Sequence, residues 1–136
     1  MRIETTRPEE TEAAGAELAA RLRPGDVVLV TGELGSGKTT FVRGASRALG
    51  VTDPVTSPTF TIGHVYDGAE LEVAHLDLYR LLSLSGEDPG LLDDYLTPHR
   101  IGFVEWPEAA MPQLERVAAR VSIEHLGEDR RGIEIE

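Results

Sequence analysis

The chain has 136 residues, 40% of them hydrophobic, which is enough for one proper core and within the size of one domain, 1–136. Its 24 acidic residues against 13 basic ones give a net charge of -11, which repels phosphate backbones and argues against autonomous binding to DNA or RNA. The absence of cysteine removes disulfides, thiolate metal sites and cysteine nucleophiles. With neither a signal-type apolar start nor a run of roughly 20 apolar residues, the expectation is a cytoplasmic protein without a membrane span.

Taken in chain order, Thr6-Arg7-Pro8-Glu9 has the form of a capping box and predicts a helix behind it. Ala14, Leu18 and Leu22 give that helix an apolar stripe, and Pro24-Gly25 closes it before the run Val27-Val28-Leu29-Val30, which reads as a buried strand. A glycine-rich loop follows. Phe41, Ala45, Ala48 and Leu49 then predict the buried face of a second helix ended by Gly50. Phe60 to Tyr66 and Leu71 to His75, separated by Asp67-Gly68, predict a β-hairpin. Within the turn-rich stretch Ser83 to Pro98, Leu91 to Leu96 suffices for a short helix, and Ile101 to Val104 reads as a buried strand ending at Glu105. Val121 to Glu124 and Ile133 to Glu136 predict a terminal strand pair. Alternating strands and helices imply an α/β fold, a three-layer sandwich around a mixed, mainly parallel central sheet, and the loop Gly32 to Thr39 between strand and helix makes it P-loop NTPase-like.

The chemistry centres on Gly32-Glu33-Leu34-Gly35-Ser36-Gly37-Lys38-Thr39, which fits G-x-x-x-x-G-K-[ST] between a strand and a helix. Glycines let successive backbone N–H groups converge on an anion at the positive end of a helix dipole. Lys38, the chain's single lysine, reaches the outer phosphates, and the Thr39 hydroxyl suits Mg²⁺. A bland reading is a glycine-rich turn, but the flanking strand and helix supply the context the motif requires. Such a site also needs an acid at a neighbouring strand end, and Asp77 and Glu105 both qualify. Alone, each reads equally as a solvated strand end or a helix cap. Ser57-Pro58-Thr59-Phe60 lies where NTPases commonly place a γ-phosphate-sensing threonine, although local turn bonding explains it as simply.

Together with Thr40, the segments Ser57-Pro58-Thr59-Phe60-Thr61, His75-Leu76-Asp77-Leu78-Tyr79-Arg80 and Glu105-Trp106-Pro107 follow the P-loop in an order that resembles the TsaE family, formerly called YjeE. That resemblance covers nearly the whole chain, and its H-x-D-x-Y-R block and E-W pair are more selective than the P-loop. It implies an ATP-binding and ATP-hydrolysing accessory subunit for threonylcarbamoyl modification of tRNA adenosine. Its partners would be TsaB and TsaD, with tRNA met only indirectly through the complex, and alone it would be a monomer or self-associate weakly. Residues Leu34 to Thr39 would surround the ATP phosphates, with Thr39 and Glu105 at Mg²⁺, Asp77 in the Walker-B-like position and Thr59 as the switch threonine. Trp106 would lie near the nucleotide or a partner, or pack in the core. His75, Tyr79 and Arg80 would orient Asp77, contact tRNA or pack the strand edge. The family commonly has aspartate where Glu33 stands and alanine where Ser36 stands; neither change removes a phosphate-binding amide.

Three rivals share the P-loop. A small-molecule kinase would add an acceptor pocket and an arginine-bearing lid, yet Ser83 to Arg100 holds only Arg100. A GTPase would carry an Asn/Thr-Lys-x-Asp loop, but the chain has no asparagine and its lysine is already in the P-loop. A degenerate, binding-only loop sits poorly with the presence of Lys38, Thr39, Asp77 and Glu105 together.

Overall fold

The computed structural model describes residues 1–33, 35–58, 62–79, 90–110, 114 and 116–136. One sheet of seven strands organises them: β1 (Arg2–Thr5), β2 (Val27–Thr31), β3 (Gly63–Asp67), β4 (Glu72–Asp77), β5 (Arg100–Glu105), β6 (Val117–Gly127) and β7 (Arg130–Ile135). Their spatial order is β1-β7-β6-β2-β5-β4-β3. The four central strands β6, β2, β5 and β4 are mutually parallel, and antiparallel partners flank them on both sides. The fold is therefore mixed α/β with a parallel centre.

Helices cover both faces of that centre. Val27 to Val30 are buried throughout, as a strand covered on two sides requires. By the two-residue period, Val28 and Val30 join Phe103 and Val121 under α1 (Pro8–Ala19) and α2 (Lys38–Ala48), while Val27 and Leu29 join Leu76 and Val104 under the short α3 (Leu91–Tyr95) and Ala110. Among the described residues, no helix is long and apolar enough to cross a membrane.

Several sequence expectations shift. At the start of α1 the N-cap is Arg7, without a side-chain cap bond; Glu10 rather than Glu9 reaches back, accepting from the Thr6 N–H at 2.6 Å and from its hydroxyl at 2.9 Å. Those bonds hold the exposed Glu10 carboxyl below its ordinary pKa. In α2 Ala48 is exposed, and the buried face is Phe41, Val42, Ala45 and Ser46, with Gly44 between the helices. The hairpin strand begins at Gly63, and residues 68–71 connect it to β4 in place of a two-residue turn, with Asp67 paired to Glu72. Phe60 and Thr61 lie outside the described residues. The terminal pair is longer than expected at β6, and β1, which the sequence did not signal, pairs with β7.

The two long helices approach so closely that glycine is required at the crossing. A Cβ on Gly44 would fall into the backbone of Glu12, and one on Gly15 into the carbonyl of Phe41. This contact fixes the tilt of α2, hence the direction of its N-terminus. Substituting Gly44→Ala gains about 1 kcal/mol of helix propensity, but an overlap with backbone cannot be relieved by a rotamer. We predict a net loss of roughly 2 kcal/mol, read as a lower urea midpoint at unchanged slope.

Candidate phosphate-binding site

The parallel strands β2, β5 and β4 end side by side, and the P-loop leaves β2 at this edge. Gly32, at φ 146°, packs against β6: a Cβ there would meet the Ile123 carbonyl. Gly35 and Gly37 take φ of 75° and 109°, values open to glycine, and Gly37 is the N-cap of α2. Glycine brings no capping side chain, and the first turn of α2, Lys38 to Thr40, lines the cavity, where helix N-terminal amides suit an anion.

The strand register carries the acids to the same place. Asp77 pairs with Glu105 and His75 with Phe103 across β4 and β5, so period two sets His75, Asp77 and Glu105 on the α2 face of the sheet. Glu105 is only 2% exposed, and its Oε2 accepts from the Thr39 hydroxyl at 3.2 Å and from Nε2 of the fully buried His75 at 2.5 Å. Because the carboxylate can only accept, Nε2 is assigned as the protonated nitrogen. Asp77 accepts from Ser57 Oγ at 3.0 Å and from the Tyr79 N–H at 3.0 Å. His75 thus orients Glu105 and makes no described bond to Asp77, which narrows the open reading of the H-x-D-x-Y block.

Lys38 is 5% exposed, and its ammonium donates to the carbonyls of Gly32 at 2.7 Å and Glu33 at 2.8 Å. It also lies 4.6 Å from the centroid of the Trp106 ring, where a cation is attracted by the π face. Trp106 reaches this position through a left-handed backbone, φ 54° and ψ 60°, and Tyr79 packs against it at 4.9 Å. Trp106 thus lines the same cavity as Lys38 and is only partly buried.

A cavity of about 360 Å³ opens here, lined by Gly35, Gly37, Lys38, Thr39 and Thr40, by Ser57, Asp77, Glu105 and Trp106, and by Arg131 from β7. Leu34, Thr59 and Arg80 lie outside the described residues. Arg131 is not among the residues the sequence points to, and the orienting role offered to His75 falls on Glu105 rather than on Asp77. The donor set at Thr39 and Glu105 is oxygen only, as a hard divalent cation prefers, and too small to fill a coordination shell alone. That fits Mg²⁺, which keeps waters and phosphate oxygens as its other ligands.

Two expectations follow from these environments. Burial lowers the pKa of Lys38, against the opposing pull of Glu105, Asp77 and Glu108. Between that lowered value and the ordinary lysine value, the unfolded chain binds more protons than the folded one, so stability rises with pH in that window. An anion on the loop reverses the shift, so phosphate-ligand affinity should fall as pH rises through the lowered value, with proton uptake visible as a buffer-dependent binding enthalpy. Separately, Ser36 Oγ is buried beside Gly32 without a hydrogen-bond partner among the described residues. Ser36→Ala should stabilise the fold by about 1 kcal/mol, measured by denaturant unfolding.

Comparison with known proteins relates the chain to one family. A family model described as threonylcarbamoyl adenosine biosynthesis protein TsaE matches residues 5–133. The chain is 41% identical over 133 residues to the tRNA threonylcarbamoyladenosine biosynthesis protein TsaE of Bacillus subtilis, covering 98% of this chain and 83% of that protein. The protein of the same name from Treponema pallidum is 32% identical over 135 residues, covering 99% of each. Among solved structures, the crystal structure of Bacillus subtilis YdiB superimposes with a TM-score of 0.79 at 36% identity, covering 98% of this chain and 82% of that one. With the match running from β1 through the P-loop to β7, the chain belongs to the TsaE family of tRNA threonylcarbamoyladenosine biosynthesis.

Proposed function

We propose that this protein is a Mg²⁺-dependent ATPase that serves tRNA threonylcarbamoyladenosine synthesis as an accessory subunit of TsaB and TsaD. The observation that carries the reading is the convergence of Thr39, Glu105 and His75 beside the only lysine of the chain, at the open end of a phosphate-type loop. In this reading the loop amides and the N-terminus of α2 bind the polyphosphate. Lys38 leaves the Gly32 and Glu33 carbonyls for the outer phosphates, exchanging two neutral acceptors for charged ones.

When bound, Mg²⁺ would be held by Thr39 with Glu105 beside it, neutralising charge on the outer phosphates. Glu105, fixed through Oε2 by its two donors, offers Oε1 to the attacking water. Asp77, fixed by Ser57 and the Tyr79 amide, borders the same space. Water then adds to the γ-phosphorus, giving a proton to Oε1 of Glu105, as the bond to the β–γ bridging oxygen breaks; ADP and phosphate are released and the proton passes to solvent. An excess of negative charge suits a protein that meets tRNA through partners and itself needs only a docking surface and a nucleotide-dependent conformation.

Reconstitution with TsaB, TsaD, tRNA and threonylcarbamoyl-adenylate tests the coupling. Repeated rounds of tRNA modification are expected with this chain and ATP, and their persistence without the chain would refute it. For the chemistry, Glu105→Gln should lower the hydrolysis rate about 100-fold while changing ATP affinity little. Lys38→Ala should instead weaken ATP binding at least tenfold. Wild-type hydrolysis in Glu105→Gln would remove its assigned role.

A further inference from the structure

We propose that Arg131 is the second cation of the phosphate site, closing over the inner phosphates of a nucleotide from the side opposite the two acids. The inference rests on the ATP-binding reading and adds a residue that the P-loop pattern does not contain.

The sheet order makes the placement. Thr39's partner Glu105 ends β5, on one flank of β2, and Asp77 ends β4 beyond it. On the other flank, β6 continues past Ser122, its last residue paired with β2, to Gly127, and β7 returns from Arg130. The overhanging hairpin stands beside the P-loop and packs on Gly32 through Ile123. From it the Arg131 side chain crosses the loop: Nη2 lies 3.5 Å from the Gly35 carbonyl oxygen, and a Cβ on Gly37 would stand 3.4 Å from Nε. The stem is thus stretched over the two glycines whose amides cradle the inner phosphates in loops of this pattern.

Charge supports the same reading. In a chain with nearly twice as many acids as bases, Arg2, Arg7, Arg47, Arg100, Arg116 and Arg130 all find carboxylates. Among the described residues Arg21, Arg23, Arg43, Arg120 and Arg131 find none, and of these Arg131 is the one that lines the cavity holding Asp77 and Glu105. Its Nη1 instead donates to the carbonyls of Glu128 at 2.9 Å and Arg130 at 3.0 Å, which steady the guanidinium while leaving its charge uncompensated and further N–H donors free. Lys38 is the other cation lining this cavity, and it too makes no described ion pair. Two cations without an ion pair among the described residues, both reaching one glycine loop, are what a polyanion needs when two acids already share its cavity.

Calorimetric titration of the full chain with MgATP and MgADP tests the assignment. Arg131→Ala should weaken both ligands by a similar factor, about tenfold, because both carry the inner phosphates. Arg131→Glu should weaken them further, and Arg131→Lys, which keeps charge and stem but loses the fork, should lose less than Arg131→Ala. Each variant's unfolding midpoint is measured alongside, and the ordering Lys, Ala, Glu is one that a packing role would not produce. Binding within twofold of the unaltered protein in Arg131→Ala and Arg131→Glu, while Lys38→Ala loses affinity, would overturn the role of Arg131 and leave the ATP reading standing. A loss confined to ATP would overturn its placement over the inner phosphates. Failure of the unaltered protein to bind either nucleotide would overturn both readings.

Discussion

A carboxylate buried to 2% exposure at the end of β5 is the constraint around which this site is built. Removing an ionised group from water is costly unless hydrogen bonds replace its hydration, and Glu105 is supplied by two donors from two different elements. His75 comes from the neighbouring strand and Thr39 from the helix behind the P-loop, so satisfying one acid ties β4, β5 and α2 together. The same bonds that make the burial tolerable fix the distance between the loop and the strand ends. A polar group of this kind specifies geometry more than it adds stability, which suits a site that has to present oxygen atoms at set positions.

Around that anchor the structure keeps its charged groups in a restrained state. Lys38 rests on two carbonyls and the Trp106 ring, and Trp106 is held by an unfavourable left-handed backbone at the exit of β5. A lysine held by neutral acceptors in a partly desolvated pocket gains by exchanging them for phosphate oxygens. Trp106 follows Glu105 directly and touches both Lys38 and Tyr79, which is about half exposed, so movement of the lysine would alter contacts at the outer surface as well as at the loop. That adjacency is a short physical route from an occupied loop to a surface that a partner could read.

Much of this was legible in the chain itself, for reasons that differ by element. The strand, loop and helix of the P-loop were readable because their backbone demands are written as glycines at fixed spacing and as an unbroken apolar run. Glu105 and Asp77 were readable as strand-end acids, but which of them meets Thr39 depends on strand order and register between residues 66 apart in the chain. The first strand escaped notice because Arg2–Thr5 carries little apolar signal of its own and is a strand through pairing with β7. The face of α2 was misjudged at Ala48 because α1 crosses at Gly44, a glycine that periodicity does not count as core. Arg131 lay furthest from prediction: it reaches the loop from 96 residues away in sequence, through a hairpin overhang that no local pattern encodes.

A crystal structure grown with Mg²⁺ and a non-hydrolysable ATP analogue would show whether Thr39 and Glu105 form a metal-supported phosphate site. The polyphosphate should lie within the loop from Gly32 to Thr39, with Lys38 turned from the loop carbonyls to the outer phosphates and a metal about 2.0–2.1 Å from Thr39 Oγ1. A nucleotide bound away from the loop, or a metal that does not touch Thr39, would contradict that arrangement.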